Sequence, residues 1–288
     1  MNYNIGIIGA SKVGTNLARI FSTDKSLHVV GIYSNSKIAL AETINIINVP
    51  IIQNILQLVN SCDIIFITTK DKNIAHTWEY IQNSNNTSWQ DKVFIHCSGL
   101  LTSEVFYNNE TNGASLHPIF PFNHKNIPMN TLRQIQFSLE GGTPALSHIK
   151  PILKSLNLKY FIIDKVSKPL YHYACFILSS GINALLAYVI QITQNTDIDP
   201  FKLLPLSANA INNLIDSNDI TKSLTGPIAR GDTDVLSDYI NLISQNHLPT
   251  LKFIIEQLSN FTNKEHQISL EKLLIENFKE LNYEQSLI

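Results

Sequence analysis

Apolar residues follow two patterns along this chain. Through the first 164 residues or so, short unbroken runs of Ile, Val, Leu and Phe alternate with stretches whose apolar positions recur every three or four residues. The runs at 3–8, 28–33, 63–68, 92–96, 113–117, 136–139 and 160–163 show no polar alternation. Strands covered on both faces, as in a parallel sheet flanked by helices, read that way. Helical period follows the first run, with Val13, Leu17, Ile20 and Phe21 on one side, and returns at 37–46 and 74–82. Residues 50–58 make a short element of unclear type. Beyond Asp164 only helical patterns remain, at 167–193, 200–215, 233–244, 250–258 and 266–281. The pattern predicts an α/β domain over residues 1–164, built on a mainly parallel sheet, and an all-helical domain over 165–288.

A length of 288 residues and 44% hydrophobic content suit two buried cores. With 21 basic and 23 acidic residues, the net charge of −2 gives no basic footprint for nucleic acid or an anionic membrane. Cys62, Cys97 and Cys175 lack the spacing of a zinc site or a disulfide framework. No metal is expected, and the thiols fit a reducing, cytoplasmic setting. No charged leader precedes the first strand, so no secretory signal is expected. The sequons within Asn85-Asn86-Thr87-Ser88 then belong to an asparagine-rich loop. Residues 173–192 carry no formal charge and are long enough to span a membrane. Ser179, Ser180, Gly181, Asn183 and Gln191 interrupt the stretch, which favours a helix buried between domains or subunits. A homodimer is the expected assembly.

The opening Asn4-Ile5-Gly6-Ile7-Ile8-Gly9-Ala10-Ser11-Lys12-Val13-Gly14 reads strand, glycine turn, helix. That is the start of a Rossmann-type dinucleotide-binding unit. Gly9 permits the tight turn and Gly14 lets the helix approach the sheet. N–H groups over Ala10, Ser11, Lys12 and Val13 would face a pyrophosphate favoured by the helix dipole. Ser11 stands where the fingerprint has its second glycine, but its hydroxyl can bond phosphate. Strand two ends Tyr33-Ser34-Asn35-Ser36-Lys37 with no carboxylate before Glu42. NAD-preferring sites place an acidic residue there. Ser34, Asn35, Ser36 and Lys37 instead suit a 2′-phosphate, so NADP(H) is the expected cofactor. Ser34 or Ser36 could equally serve as a helix N-cap.

Four further stretches are rich in polar groups. Thr68-Thr69-Lys70-Asp71, His96-Cys97-Ser98-Gly99 and His117-Pro118 each follow a strand at the carboxyl edge, where open α/β sheets bind ligands. Thr68, Thr69 and His96 are assigned to the cofactor, Ser98 and His117 to the substrate. Cys97 has no nameable base and is not read as a nucleophile. The fourth stretch is Leu224-Thr225-Gly226-Pro227-Ile228-Ala229-Arg230-Gly231-Asp232. Arg230 there has a planar fork suited to a carboxylate, or it pairs with Asp232 to hold the loop. Ser167-Lys168-Pro169 opens the long helix, with His172 on the same face as Lys168. Ser179 falls about 10 Å along that face, and Asn183 about 16 Å from His172, too far for the same site. Lys168 or His172 could protonate a carbonyl oxygen as hydride reaches carbon.

These motifs, with Ser115-Leu116-His117-Pro118 and Tyr171-His172, resemble a family of Rossmann-like proteins with a helical C-terminal domain long described as of unknown function. That family is related to ketopantoate reductases, pyrroline-carboxylate reductases and the 6-phosphogluconate dehydrogenase group. The resemblance covers nearly the whole chain and is most specific at 224–232. Some members resemble a second class of ketopantoate reductase, which implies NADPH-dependent reduction of 2-dehydropantoate to pantoate for pantothenate and coenzyme A synthesis. Related reductases place asparagine four residues after the helix-opening lysine; here Lys168 matches and His172 takes the asparagine's place, leaving either as the donor. Reduction of imines or other keto acids, or cofactor sensing without catalysis, are the alternatives.

Overall fold

The computed structural model describes residues 2–84, 89–106 and 112–278. The sequons at 85–88 and the end of the helix expected over 266–281 lie outside the described residues. The chain forms two compact units, Met1–Ala187 and Tyr188–Ile288.

In the first unit β1 (Tyr3–Ile8), α1 (Lys12–Phe21), β2 (Leu27–Tyr33), α2 (Lys37–Ile44), α3 (Ile55–Asn60), β3 (Ile64–Ile67), α4 (Ile74–Gln82), β4 (Val93–His96) and β5 (Asn112–Ile119) follow the alternation in the sequence. Then come α5 (Met129–Leu132), β6 (Gln136–Gly141), α6 (Thr143–Ser155) and β7 (Lys159–Ile162). Among the described residues these strands make one sheet in the order β2-β1-β3-β4-β5-β6-β7. Every neighbouring pair is parallel except β5 with β6. The unbroken apolar runs have the expected cause, burial on both faces. Along β3, Ile64 and Phe66 join one core cluster while Ile65 and Ile67 join the other. Residues 50–58 supply an isolated bridge from Ile51 to Ile32 and then α3.

The strand pattern ends at β7, but the first compact unit continues to Ala187, beyond the expected boundary at 164. Lys168 explains this. It opens α7 (Lys168–Phe176), and its side chain is wholly buried against strands β5 and β6. A π turn over Ile177–Gly181 carries α7 into α8 (Ile182–Thr193). This 26-residue helix is long and apolar enough to cross a membrane, its most apolar 18-residue window having a mean hydropathy of 1.8, yet its first turns are tied into the sheet. Leu170 and Leu178 are more than 70% exposed on it.

The second unit contains α9 (Leu204–Ser217), α10 (Ile220–Ser223), α11 (Gly226–Arg230), α12 (Thr233–Leu242), α13 (Leu248–Ser259) and α14 (Lys264–Asn277). Ile228, Leu236, Ile255, Leu270 and Leu273 form its core. No described residue there is in a strand. Helix α9 has no buried residue, and Leu206 and Ile215 are strongly exposed.

Candidate active site

At the carboxyl edge of β1 a cavity of about 530 Å³ opens beside the glycine turn. Gly9, Ala10, Ser11, Ser34, Asn35, Ser36, Thr68 and Thr69, all residues the sequence assigns to a cofactor, line it. Gly9 has φ +115°, a conformation that side chains disfavour. A Cβ at Gly14 would lie 2.3 Å from Thr68 Oγ1 and 2.4 Å from Gly9 O, so only glycine lets α1 meet the sheet. Ser11 caps α1 by accepting from Gly14 N at 3.0 Å, which leaves its hydroxyl proton for a ligand. Ser36 likewise caps α2, accepting from Ala39 N, while lining the cavity. Capping α2 does not remove Ser36 from the cavity wall.

The cavity fits a dinucleotide on two counts. Thr69 Oγ1 is buried there without a hydrogen-bond partner, an orphan that a polar ligand would satisfy. Among the described residues no carboxylate lines the cavity, whereas Lys70, Lys72 and His76 do. Those three cationic or potentially cationic groups escaped the sequence reading, although Lys70 stood within a motif it had singled out. Lys12, Val13 and Lys37, expected at the cofactor, are not among the lining residues.

His96 does not reach this cavity, contrary to expectation. Its ring is wholly buried, Nε2 donating to Thr102 O at 3.0 Å and Nδ1 accepting from Ser98 N at 3.2 Å. Burial pushes it down to about 4, so it stays neutral and shapes the turn after β4. Ser98 is committed in the same way: its hydroxyl donates to Asp71 Oδ2 at 2.6 Å and accepts from Leu100 N and Leu101 N. Both residues hold the loop whose tip is Gly99. Burial raises the Cys97 thiol to about 12, which agrees with an inert cysteine.

A second cavity, of about 410 Å³, lies between the end of β5 and the helix that Lys168 opens. His117, His172, Cys175 and Ser179 supply its polar wall, and Ile119, Phe120, Phe176 and Leu178 its apolar one. The two histidine rings meet edge to face with centroids 6.0 Å apart. Gly99 makes this meeting possible, because a Cβ there would lie 2.5 Å from His172 Cδ2 and 2.9 Å from His117 Nε2. His117 Nδ1 is 2.7 Å from Tyr171 Oη. Burial, with His172 and Lys168 nearby, lowers His117 to about 4.

Lys168 lies behind these groups. Its Nζ donates to Ser115 Oγ and sits 3.9 Å from Glu140 Oε2. Desolvation lowers it to about 8, partly offset by Glu140. Glu140 is itself held by Ser103 N at 2.7 Å and by Ser103 Oγ. The periodicity that put Lys168 and His172 on one face was right, but His172 lines the cavity whereas Lys168 is enclosed. The sequence reading missed Glu140, because a carboxylate at a strand end carries no sign that it will be buried beside a lysine 28 residues later.

Arg230 belongs to the second unit, where its Nη2 lies 3.7 Å from Asp232 Oδ2. Asp232 caps α12 through Val235 N, and Gly231 ends α11 at φ +64° against the ring of His266. The pairing with Asp232, one of the two roles open to Arg230, is present, and the guanidinium is largely exposed.

Residues 4–99 match the family model described as NADP oxidoreductase, coenzyme F420-dependent, and residues 135–269 match DUF2520, a domain of unknown function. Curated protein sequences give no match. Among solved structures the chain is similar to BF3122 of Bacteroides fragilis, provisionally named an NADP oxidoreductase (18% identity, TM-score 0.69, covering 90% of this chain and 97% of that one). It is also similar to protein TM1727 of Thermotoga maritima (26%, 0.68, 91% and 99%). A third is the 1-pyrroline-5-carboxylate reductase of Streptococcus pyogenes (13%, 0.57, 96% and 98%), a likeness of fold. The glycine turn and Gly99 fall within the first family match, and Glu140, Lys168, Tyr171 and His172 within the second. The two matches together support an NAD(P)-dependent oxidoreductase whose first part matches the NADP oxidoreductase model and whose later part matches DUF2520.

Proposed function

We propose that this protein reduces 2-dehydropantoate to pantoate with NADPH. The observation that carries this reading is the second cavity, where two imidazoles face an apolar wall of Ile119, Phe120 and Phe176. The substrate pairs a ketone and carboxylate with a geminal dimethyl carbon, so it needs polar donors and apolar surface side by side. NADPH, when bound along Gly9 to Ser11, Ser34 to Ser36 and Thr69, supplies the hydride that C2 receives. The chain must then hold the keto acid and deliver one proton to the oxygen on C2. His172 lines the cavity and takes that role. Lys168, enclosed by Ser115 and Glu140, keeps a positive charge behind the site and anchors the helix that carries His172.

Reduction of a cyclic imine would use the same cofactor and fold but needs no proton donor to a carbonyl oxygen. A panel assay separates the readings: NADPH oxidation with ketopantoate above that with cyclic imines supports the proposal, and the reverse order overturns it. Genetic complementation adds a second test, restoring pantothenate-free growth to a strain without ketopantoate reductase. A protein that binds NADPH and oxidises it with neither substrate class is a sensor.

A second copy of the chain would cover the exposed apolar faces at Leu170 and Leu178 and at Leu206 and Ile215. Sedimentation equilibrium should give twice the 32.4 kDa chain mass.

A further inference from the structure

His117, in the wall of the second cavity, is hydrogen-bonded through Nδ1 to Tyr171, which is not itself among the lining residues. Tyr171 Oη and His117 Nδ1 are 2.7 Å apart, with their rings edge to face at 5.7 Å between centroids. Which group donates decides what His117 offers a ligand. If the phenol donates, the neutral ring carries its proton on Nε2; if the ring donates, Nε2 is a bare acceptor.

The surroundings favour the phenol as donor. Strand β6 places Ser138 directly opposite His117. The Ser138 hydroxyl is buried and meets no partner at good geometry among the described residues, and the phenol oxygen is the group it approaches. A serine proton directed at Oη sends the phenol proton onward to Nδ1. Cys175 also faces the phenol, but a thiol sulfur accepts more weakly than an imidazole nitrogen. At its other end His117 Nε2 makes no hydrogen bond among the described residues, and His117 is part of the cavity wall beside Gly99. The neighbouring His96 shows the same tautomer, set by backbone partners at both nitrogens.

We propose that Tyr171 is a positioning residue that holds His117 as the Nε2–H tautomer, making His117 a neutral hydrogen-bond donor for a carbonyl or carboxylate oxygen of the substrate. The tautomer does not depend on the identity of the substrate, whereas its use on a keto acid rests on the function proposed above. The ring then polarises or orients that oxygen without giving up a proton, which leaves proton delivery to His172. Burial raises the phenol well above its ordinary value and lowers the imidazole to about 4, so neither group ionises near neutral pH.

The test is nitrogen NMR on the full chain carrying 15N-labelled histidine, with His117 identified among the nine histidines by its absence from the His117→Gln spectrum. Wild-type His117 should show an unprotonated Nδ1 and a protonated Nε2. Tyr171→Phe should convert this to a mixture or to the opposite tautomer. A protonated Nδ1 in the wild type overturns the proposal, and so does an unchanged tautomer in Tyr171→Phe. Should that variant not fold, the wild-type spectrum decides alone. With ketopantoate, Tyr171→Phe should raise KM roughly tenfold, the worth of one oriented neutral hydrogen bond, while NADPH affinity holds. An unchanged KM overturns the role in substrate binding. Absence of turnover in the wild type would count against the proposed function and leave the tautomer result standing.

Discussion

Lys168 Nζ and Glu140 Oε2 lie 3.9 Å apart with both side chains buried, one on the first turn of α7 and the other near the end of β6. Removing one partner of such a pair leaves the other charge uncompensated, which costs about 3–5 kcal/mol. Glu140→Gln should therefore lower the unfolding free energy by about that amount in a denaturant titration. Lys168→Met combined with Glu140→Gln should recover part of the loss. Wild-type stability in Glu140→Gln would show that the pair does not hold the helix to the sheet.

Acid should destabilise the fold through His96 and His117. Both sit near 4 in the folded chain against an ordinary 6.5, so the unfolded chain binds more protons between those values. Stability should fall as pH drops from about 6.5 to about 4, and His96→Gln should flatten that fall. Lys168 gives a separate window at higher pH. Held near 8 against 10.5, it should make stability rise with pH between those values, a rise absent in Lys168→Met. Urea midpoints across both ranges measure the two slopes.

Gly99→Ala should uncouple catalysis from cofactor binding. The added methyl meets both His117 and His172, so the rings must separate. Turnover should fall on the order of 10²-fold or more, as when a donor is misplaced, and His172→Ala should cost about 10² to 10⁴. NADPH affinity measured by fluorescence titration should stay near wild type in both. Full activity in His172→Ala would move proton delivery to another group.

Cofactor choice should follow the loop after β2. Ser34 lines a cavity with no carboxylate among the described residues, and Ser34→Asp would place a negative charge where a 2′-phosphate is expected. The ratio of kcat/KM for NADPH over NADH should exceed one in the wild type and fall in the variant. Equal efficiencies in the wild type would contradict the assignment.

The parts of this molecule legible in its sequence are those written in local pattern. Residues 3–8 and 74–82 have the bounds their apolar spacing implies, because burial on both sheet faces or on one helix face imposes a period. Gly9 and Gly14 were readable because the turn and the close approach admit little else. Pairings between distant segments were not. Glu140 with Lys168 and Ser138 beside Tyr171 depend on the antiparallel strand β6, whose reversal leaves no mark in its own residues. The same blindness assigned His96 to the cofactor: its place after a strand was correctly inferred, but the Thr102 carbonyl that draws its ring inward lies in a turn of no distinctive pattern.

Under the proposed function, the cavity holding His117 and His172 reduces a short keto acid at the expense of NADPH. The most direct measurement is the loss of NADPH absorbance when ketopantoate is added to the purified chain, with pantoate identified as the product. Turnover should be saturable, prefer NADPH, yield pantoate and be abolished or severely reduced in His172→Ala. Absorbance unchanged by ketopantoate, with NADPH shown to be bound, would contradict it.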